Sequence, residues 1–223
     1  MAEEYSNLEK VRLEKADQLR EQGVDPYPAH SERTHYTQAA IREFETSESS
    51  GKAEVVQATL VGRIRSLRAM GKITFAHIED GTGRVQLFFR SDDLGQDKFE
   101  FFKQSFDLGD FIQASGEMFR TRTGEVTLRV SEYQMLAKAI TPLPAAKDEQ
   151  VDGQIVKHAT LAEPEVRYRQ RYADLAVNPD VRRIFRSRAA VIRSLRDFLD
   201  SKDFLEVETP ILQPIYGGAA APP

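Results

Sequence analysis

The chain has 223 residues, 40% of them hydrophobic and 30% charged, with no Cys, no Trp and a formal net charge of −4. The absence of cysteine excludes a disulfide scaffold, Cys-ligated zinc, an iron–sulfur cluster and a thiol nucleophile. No run approaches the ~18 apolar residues of a membrane helix, and the acidic start Met1-Ala2-Glu3-Glu4 is no secretory signal, so a soluble, cytoplasmic protein without a membrane partner is expected.

The charge is uneven. Residues 1–50 carry six Lys and Arg against eleven Asp and Glu, residues 55–90 carry six against two, and residues 164–200 carry nine against five. An acidic total therefore hides two basic segments. Nucleic-acid binding depends on where charge sits, so a local basic patch stays open beside ordinary solvated surface.

Residues 3–22 read as an amphipathic helix with Leu8, Val11, Ala16 and Leu19 on its apolar side. Gly23 suits the left-handed residue after a helix, and Pro26 and Pro28 stop it. Residues 29–52 are polar, end in Ser47-Glu48-Ser49-Ser50-Gly51 and predict a loop or linker, so residues 1–54 form a helix-plus-linker segment. From residue 55 the period changes to two. Strands are predicted from 55, over 73–78 and over 84–89, with Gly81-Thr82-Gly83 as a hairpin turn. A short helix follows at about 95–106, where Phe99, Phe102 and Phe106 share a face. Two further strands fall near 111–119 and 125–136.

Three strands, a helix and two strands predict a five-stranded OB barrel over residues 55–140, with a small antiparallel sandwich as the rival. Gly62 favours the barrel, because a glycine inside a strand often marks a bend at a barrel corner. Residues 141–163 read as a linker or insertion. A second domain opens at Pro164. It has Tyr168 and Tyr172 among arginines, a helix at 180–202 capped by Asn178, and a strand at 204–208 ended by Pro210. The overall class is mainly β with helices, and the second domain lacks the sheet its apolar helix and strand need.

OB folds bind oligonucleotides on strands two and three, using cationic groups and aromatic platforms. Arg65, Arg68 and Lys72 flank the first turn. Phe75 can stack a base or pack in the core. Gln86 can bond a base edge, and Glu125 can accept from a base amino group. His77 shares a face with Phe75 and reads as structural. Four scattered His without Cys indicate no metal site, and neither a phosphate loop nor a Ser–His–Asp arrangement is indicated.

Arg68-Ala69-Met70-Gly71-Lys72-Ile73-Thr74-Phe75 and Asp80-Gly81-Thr82-Gly83-Arg84-Val85-Gln86 resemble the anticodon-binding OB domain of bacterial lysyl-tRNA synthetases. Thr121-Arg122-Thr123-Gly124-Glu125 is similar to that domain's last hairpin. Arg167-Tyr168-Arg169-Gln170-Arg171-Tyr172 resembles the opening of the family's catalytic domain, and Phe204-Leu205-Glu206-Val207-Glu208-Thr209-Pro210 resembles class II motif 1. The resemblance covers nearly the whole chain. Aspartyl- and asparaginyl-tRNA synthetases share the OB domain and motif 1, but the Met-Gly-Lys turn and the Arg-Tyr run look lysyl-type.

The resemblance implies a part of a lysine–tRNA ligase. Phe75 would stack on an anticodon base, Arg68 and Gln86 would bond the central uridine, and Glu125 would help read a neighbour. Phe204, Val207 and Pro210 would line a homodimer interface, and Gly217 would lie beside the lysine substrate. ATP and Mg2+ are implied for the full-length family enzyme, with none bound by this chain. Motifs 2 and 3 are missing, and Ala221 is followed by Pro222-Pro223 where the family has Arg-Pro-Phe. A truncated or frameshifted frame, or a designed fragment, inactive alone and with no catalytic residue of its own, is therefore expected. A stand-alone module binding tRNA or other single-stranded RNA is the alternative.

Overall fold

The computed structural model describes residues 5–51, 55–144, 147–151, 154–158, 161 and 163–211. It divides into two units, residues 1–142 and residues 143–223.

In the first unit, helix α1 (Asn7–Glu21) begins one residue after Ser6, which forms a capping box with Glu9. The Ser6 hydroxyl accepts from the Glu9 N–H, and the Glu9 carboxylate accepts from the Ser6 N–H at 2.9 Å. Gly23 follows the helix at φ +75°. The buried row differs from the expected one. Ala16 and Leu19 are buried, but Leu8 and Val11 are exposed and Arg12 takes the inward place. The Arg12 guanidinium donates to the carbonyls of Ala139 (2.9 Å) and Leu108 (3.0 Å) at the end of the barrel. A buried row that runs through a hydrogen-bonded cation is invisible to a count of apolar residues.

The segment expected to be a loop holds a second helix, α2 (Thr37–Ser49). Ala40 is buried, and Ile41 and Phe44 pack on the core. The helix lacks a side-chain cap from its own N-cap residue, Tyr36. Asp80 supplies one from elsewhere in the chain, accepting from the Thr37 N–H (2.8 Å) and the Thr37 hydroxyl (2.9 Å). Burial raises the Asp80 pKa, but donors from Thr37, Thr82 and Gly83 outweigh it and hold the carboxyl below its ordinary value.

Five strands follow: β1 (Gln57–Met70), β2 (Ile73–Glu79), β3 (Arg84–Arg90), β4 (Phe111–Arg120) and β5 (Val126–Ala137). They close a barrel in the order β1-β2-β3-β5-β4. Only β3 and β5 run parallel. This is the expected OB topology, and closure excludes the sandwich. β1 is a single long strand. Its residues 57–63 pair with β4, and residues 63–70 pair with β2, with a bulge between Ile64 and Ser66. Gly62 lies just before it and packs closely on β2, where a Cβ would lie 3.0 Å from the Glu79 carbonyl oxygen. The expected single helix after β3 is two, α3 (Ser91–Leu94) and α4 (Gln96–Ser105), separated by Gly95 at φ +83°. Phe99 and Phe102 of α4 are buried, and Phe89 stacks on Phe102 with ring centroids 3.9 Å apart. Leu60, Ile64, Ile78, Leu87, Ile112, Leu128 and Val130 fill the barrel.

In the second unit, the predicted linker contains an antiparallel strand pair, β6 (Lys147–Val151) and β7 (Gln154–His158). Helices α5 (Pro164–Arg169), α6 (Arg171–Val177) and α7 (Pro179–Asp200) follow. Asn178 holds the N-cap position of α7, yet its side chain does not cap. Its amide donates instead to Asp174 (2.6 Å), a fully buried carboxylate that also takes Arg167 and Arg171. Ile184, Phe185, Ile192, Leu195 and Leu199 of α7 are exposed. Residues 204–208 do not form the expected strand. A strand exists through hydrogen bonds to a neighbour, and no described strand pairs with this segment. Gly217 lies outside the described residues.

Candidate nucleic-acid interface

Alternation along β2 sends Thr74, Ala76 and Ile78 into the barrel and turns Phe75 and His77 outward. The register then sets Phe88 opposite Phe75 and Gln86 opposite His77 on β3, and Arg68 and Ser66 opposite the same two residues on β1. Phe75 is therefore half-buried on the outer face rather than part of the core. Its ring lies 5.1 Å from Phe88, and Phe88 lies 5.9 Å from Phe119 of β4. The three rings floor a groove of about 770 Å³ whose walls include Arg68, Met70, Gln86 and residues 121–123 of the β4–β5 turn. Aromatic platforms of this kind stack bases of any sequence, because every base has a π-face.

The polar wall is connected. Ser66 and the His77 Nδ1 are 2.8 Å apart, the His77 Nε2 is 2.9 Å from one Glu125 oxygen, and the Gln86 amide nitrogen donates to the other at 2.7 Å. The Thr127 hydroxyl donates to the Gln86 oxygen at 2.9 Å. Gln86 and Glu125, both anticipated as base readers, are thus bonded to one another, and His77 belongs to the site rather than standing alone. Arg68 and Arg122 are exposed at the groove, and no ion pair with a described residue neutralises either.

Two anticipated cations lie elsewhere. Arg65 is the extra residue of the β1 bulge and pairs with Glu79 at 3.1 Å, so it does not line the groove. Lys72 is exposed in the β1–β2 turn, outside the groove lining. Phe204, Val207 and Pro210 are exposed in the second unit. Phe88 and Phe119 are groove residues outside the quoted motifs, and Arg122 lies within one without having been given a binding role. For Phe88 a signal existed, since it shares the Gln86 face at the strand period of two. Among the described residues, no group of three or more His, Asp or Glu is placed to hold a metal. No helix among them is long and apolar enough to cross a membrane.

Residues 58–143 match the family described as OB-fold nucleic acid binding domain, and residues 163–223 match tRNA synthetases class II (D, K and N). The chain is 43% identical over 221 residues to a lysine–tRNA ligase of Pelotomaculum thermopropionicum, which covers 99% of this chain and 40% of that protein. It is 48% identical over 221 residues to that of Chloroflexus aurantiacus, with 99% and 42% covered. The lysine–tRNA ligase of Clostridium novyi matches at 43%, with 99% and 40% covered. The chain thus spans about two fifths of the length of these relatives. Two domain matches in the order the fold presents them, and identity sustained along almost every residue, make the chain a homologue of these lysine–tRNA ligases over two fifths of their length.

Proposed function

We propose that the outer groove of the barrel binds the anticodon loop of tRNA, and that the chain serves lysine–tRNA ligation by supplying this recognition. The observation that carries the reading is the groove itself: Phe75, Phe88 and Phe119 side by side, a bonded polar wall at Gln86 and Glu125, and exposed Arg68 and Arg122 at the rim. Single-stranded loops offer unstacked bases to such platforms, while the rim cations meet phosphate. Phe75 stacks on a base, Arg68 and Gln86 bond a central uridine, and Glu125 contributes to its neighbour. Lys72 adds positive charge beside the first turn.

The ligase reaction, with lysine, tRNA and ATP as substrates, belongs to the same proposal. So does a homodimer covering the exposed apolar side of α7 together with Phe204, Val207 and Pro210, and a cytoplasmic location as for translation generally. That exposed apolar side is what supports the dimer. ATP-dependent acyl transfer needs cations, and magnesium when bound would offset phosphate charge. The described residues do not fit a magnesium site.

Titration of the full chain with an anticodon stem-loop carrying a central uridine tests the reading. Tighter binding than to an unrelated stem-loop is expected, and Phe75→Ala should weaken it by about 1–3 kcal/mol per stacked base. Equal affinity for both RNAs would replace anticodon recognition with generic single-strand binding.

A further inference from the structure

The polar wall of the groove is a row running sideways across four strands. Ser66 on β1 faces His77 on β2, His77 faces Gln86 on β3, and Gln86 faces Thr127 on β5, with Glu125 bridging His77 and Gln86. Chemistry fixes the direction of the bonds to Glu125. An ionised carboxylate only accepts, so the His77 Nε2 and the Gln86 amide nitrogen both donate to Glu125. The His77 Nδ1 lies 2.8 Å from the Ser66 hydroxyl, which donates to a neutral ring and accepts from a protonated one. Thr127 donates to the Gln86 oxygen. The Gln86 amide is consequently held one way round, its oxygen turned to β5 and its nitrogen to Glu125. Of its two N–H bonds one is spent on Glu125, which leaves the second for a ligand in the groove that Gln86 lines.

We propose that His77 is a positioning residue for base discrimination: by holding Glu125, it locks the Gln86 amide with its N–H toward the bound base. A base edge with a carbonyl acceptor there, such as uracil O4, is then accepted, and one with an amino donor, such as cytosine N4, is refused. Refusal comes from the lock, because an unheld amide would rotate and present its oxygen to the amino group. Glu125 accordingly acts on the base through Gln86 in addition to any contact of its own. Ser66 steadies the ring from the far side. Neither His77 nor Ser66 has to touch RNA.

The lock rests on the RNA-binding reading above, and one set of titrations separates the two. The full chain is titrated with two stem-loops that differ only by uridine or cytidine at the central loop position, and the ratio of the two Kd values is read. His77→Leu is expected to lower the uridine preference about 5-fold or more, the worth of one hydrogen bond, mainly by tightening the cytidine complex. Ser66→Ala should move the ratio in the same direction by less. In a Gln86→Ala chain, His77→Leu should change the ratio no further. An unchanged ratio in folded His77→Leu overturns the lock, as does a shift that persists without Gln86. If His77→Leu fails to fold, an unchanged ratio in Ser66→Ala overturns it instead. Absence of binding to either RNA by the unaltered chain would remove the binding reading and the lock together.

Discussion

Lys138 shares the Asp107 carboxylate with Lys15 of α1, and removing its charge should be costly. Its side chain is fully buried, with the ammonium 2.7 Å from Asp110, itself fully buried, and 2.6 Å from Asp107. A third bond runs to the Ser105 carbonyl. Lys138→Met keeps the volume and strands a buried carboxylate, which typically costs about 3–5 kcal/mol. Asp110 would retain the N–H groups of Asp107 and Ala139, both at 2.8 Å, and Asp107 would retain Lys15. That argues for the lower end, about 3 kcal/mol. For a unit of this size the melting temperature should fall by roughly 10 °C. Lys15→Met, removing the partly exposed partner, should cost at most about 1 kcal/mol.

The same cluster predicts a pH dependence. Burial raises the Asp107 pKa, but hydrogen bonds from Lys138 and Lys15 outweigh it and leave the carboxyl below its ordinary value of 3.8. A lowered folded pKa means stability that is fully present above the unfolded value and is lost as pH falls through the folded one. The gap between wild type and Lys138→Met should therefore narrow as pH falls below about 4 and through the lowered Asp107 value, where protonation removes the Asp107 charge that Lys138 meets. Thermal unfolding followed by far-UV circular dichroism from pH 7 to 3 measures both effects. A variant melting within about 3 °C of wild type at pH 7, or a gap that stays constant down to pH 3, would refute the reasoning.

Three other outcomes are expected. Gly116→Ala should unfold the barrel or lower its denaturant midpoint sharply, because the new Cβ would sit 1.9 Å from the Arg129 carbonyl oxygen, a backbone atom that cannot swing aside; urea titration checks this, and a wild-type midpoint counts against the β4–β5 register. Arg68→Ala should weaken RNA binding and lower the slope of log K against log salt by about 1, as expected when one phosphate contact is lost. An unchanged slope would move Arg68 off the phosphate path. Limited proteolysis should leave a stable fragment ending near residue 140, where the two units meet; early cleavage inside residues 57–137 would contradict a closed barrel.

What the amino-acid sequence revealed and what it hid divide along a physical line. Strands β1 to β5 are legible because their side chains alternate between a core and an outer face, and period two is a local property. The OB topology follows from their order. Helix α2 is not legible, since its first turn is capped by Asp80, 43 residues further on, and no neighbour within the helix signals a start. Arg65 reads as a groove cation until the bulge at β1 turns it toward Glu79, and a bulge shifts alternation without changing composition. Glu125 and Gln86 each carry a side chain able to bond a base edge, which the sequence alone shows. Their bond to each other depends on a β3–β5 pairing that spans about 40 residues of chain. The buried row of α1 went astray at Arg12, where a cation bonded to two carbonyls replaces the expected apolar contact.

The long first strand carries a consequence for the order in which the protein is made. β1, β2 and β3 leave the ribosome together and can pair as a meander, so Phe75, Phe88 and Gln86 come into register early. The other edge of β1, residues 57–63, waits for Phe111–Glu117 to be synthesised before it has a partner. Until then it is an open edge able to recruit any strand nearby. Phe119, the third ring of the floor, arrives on that same late strand. The nascent chain thus lacks the finished groove until the barrel is sealed, and a barrel that fails to seal exposes a sticky edge in its place.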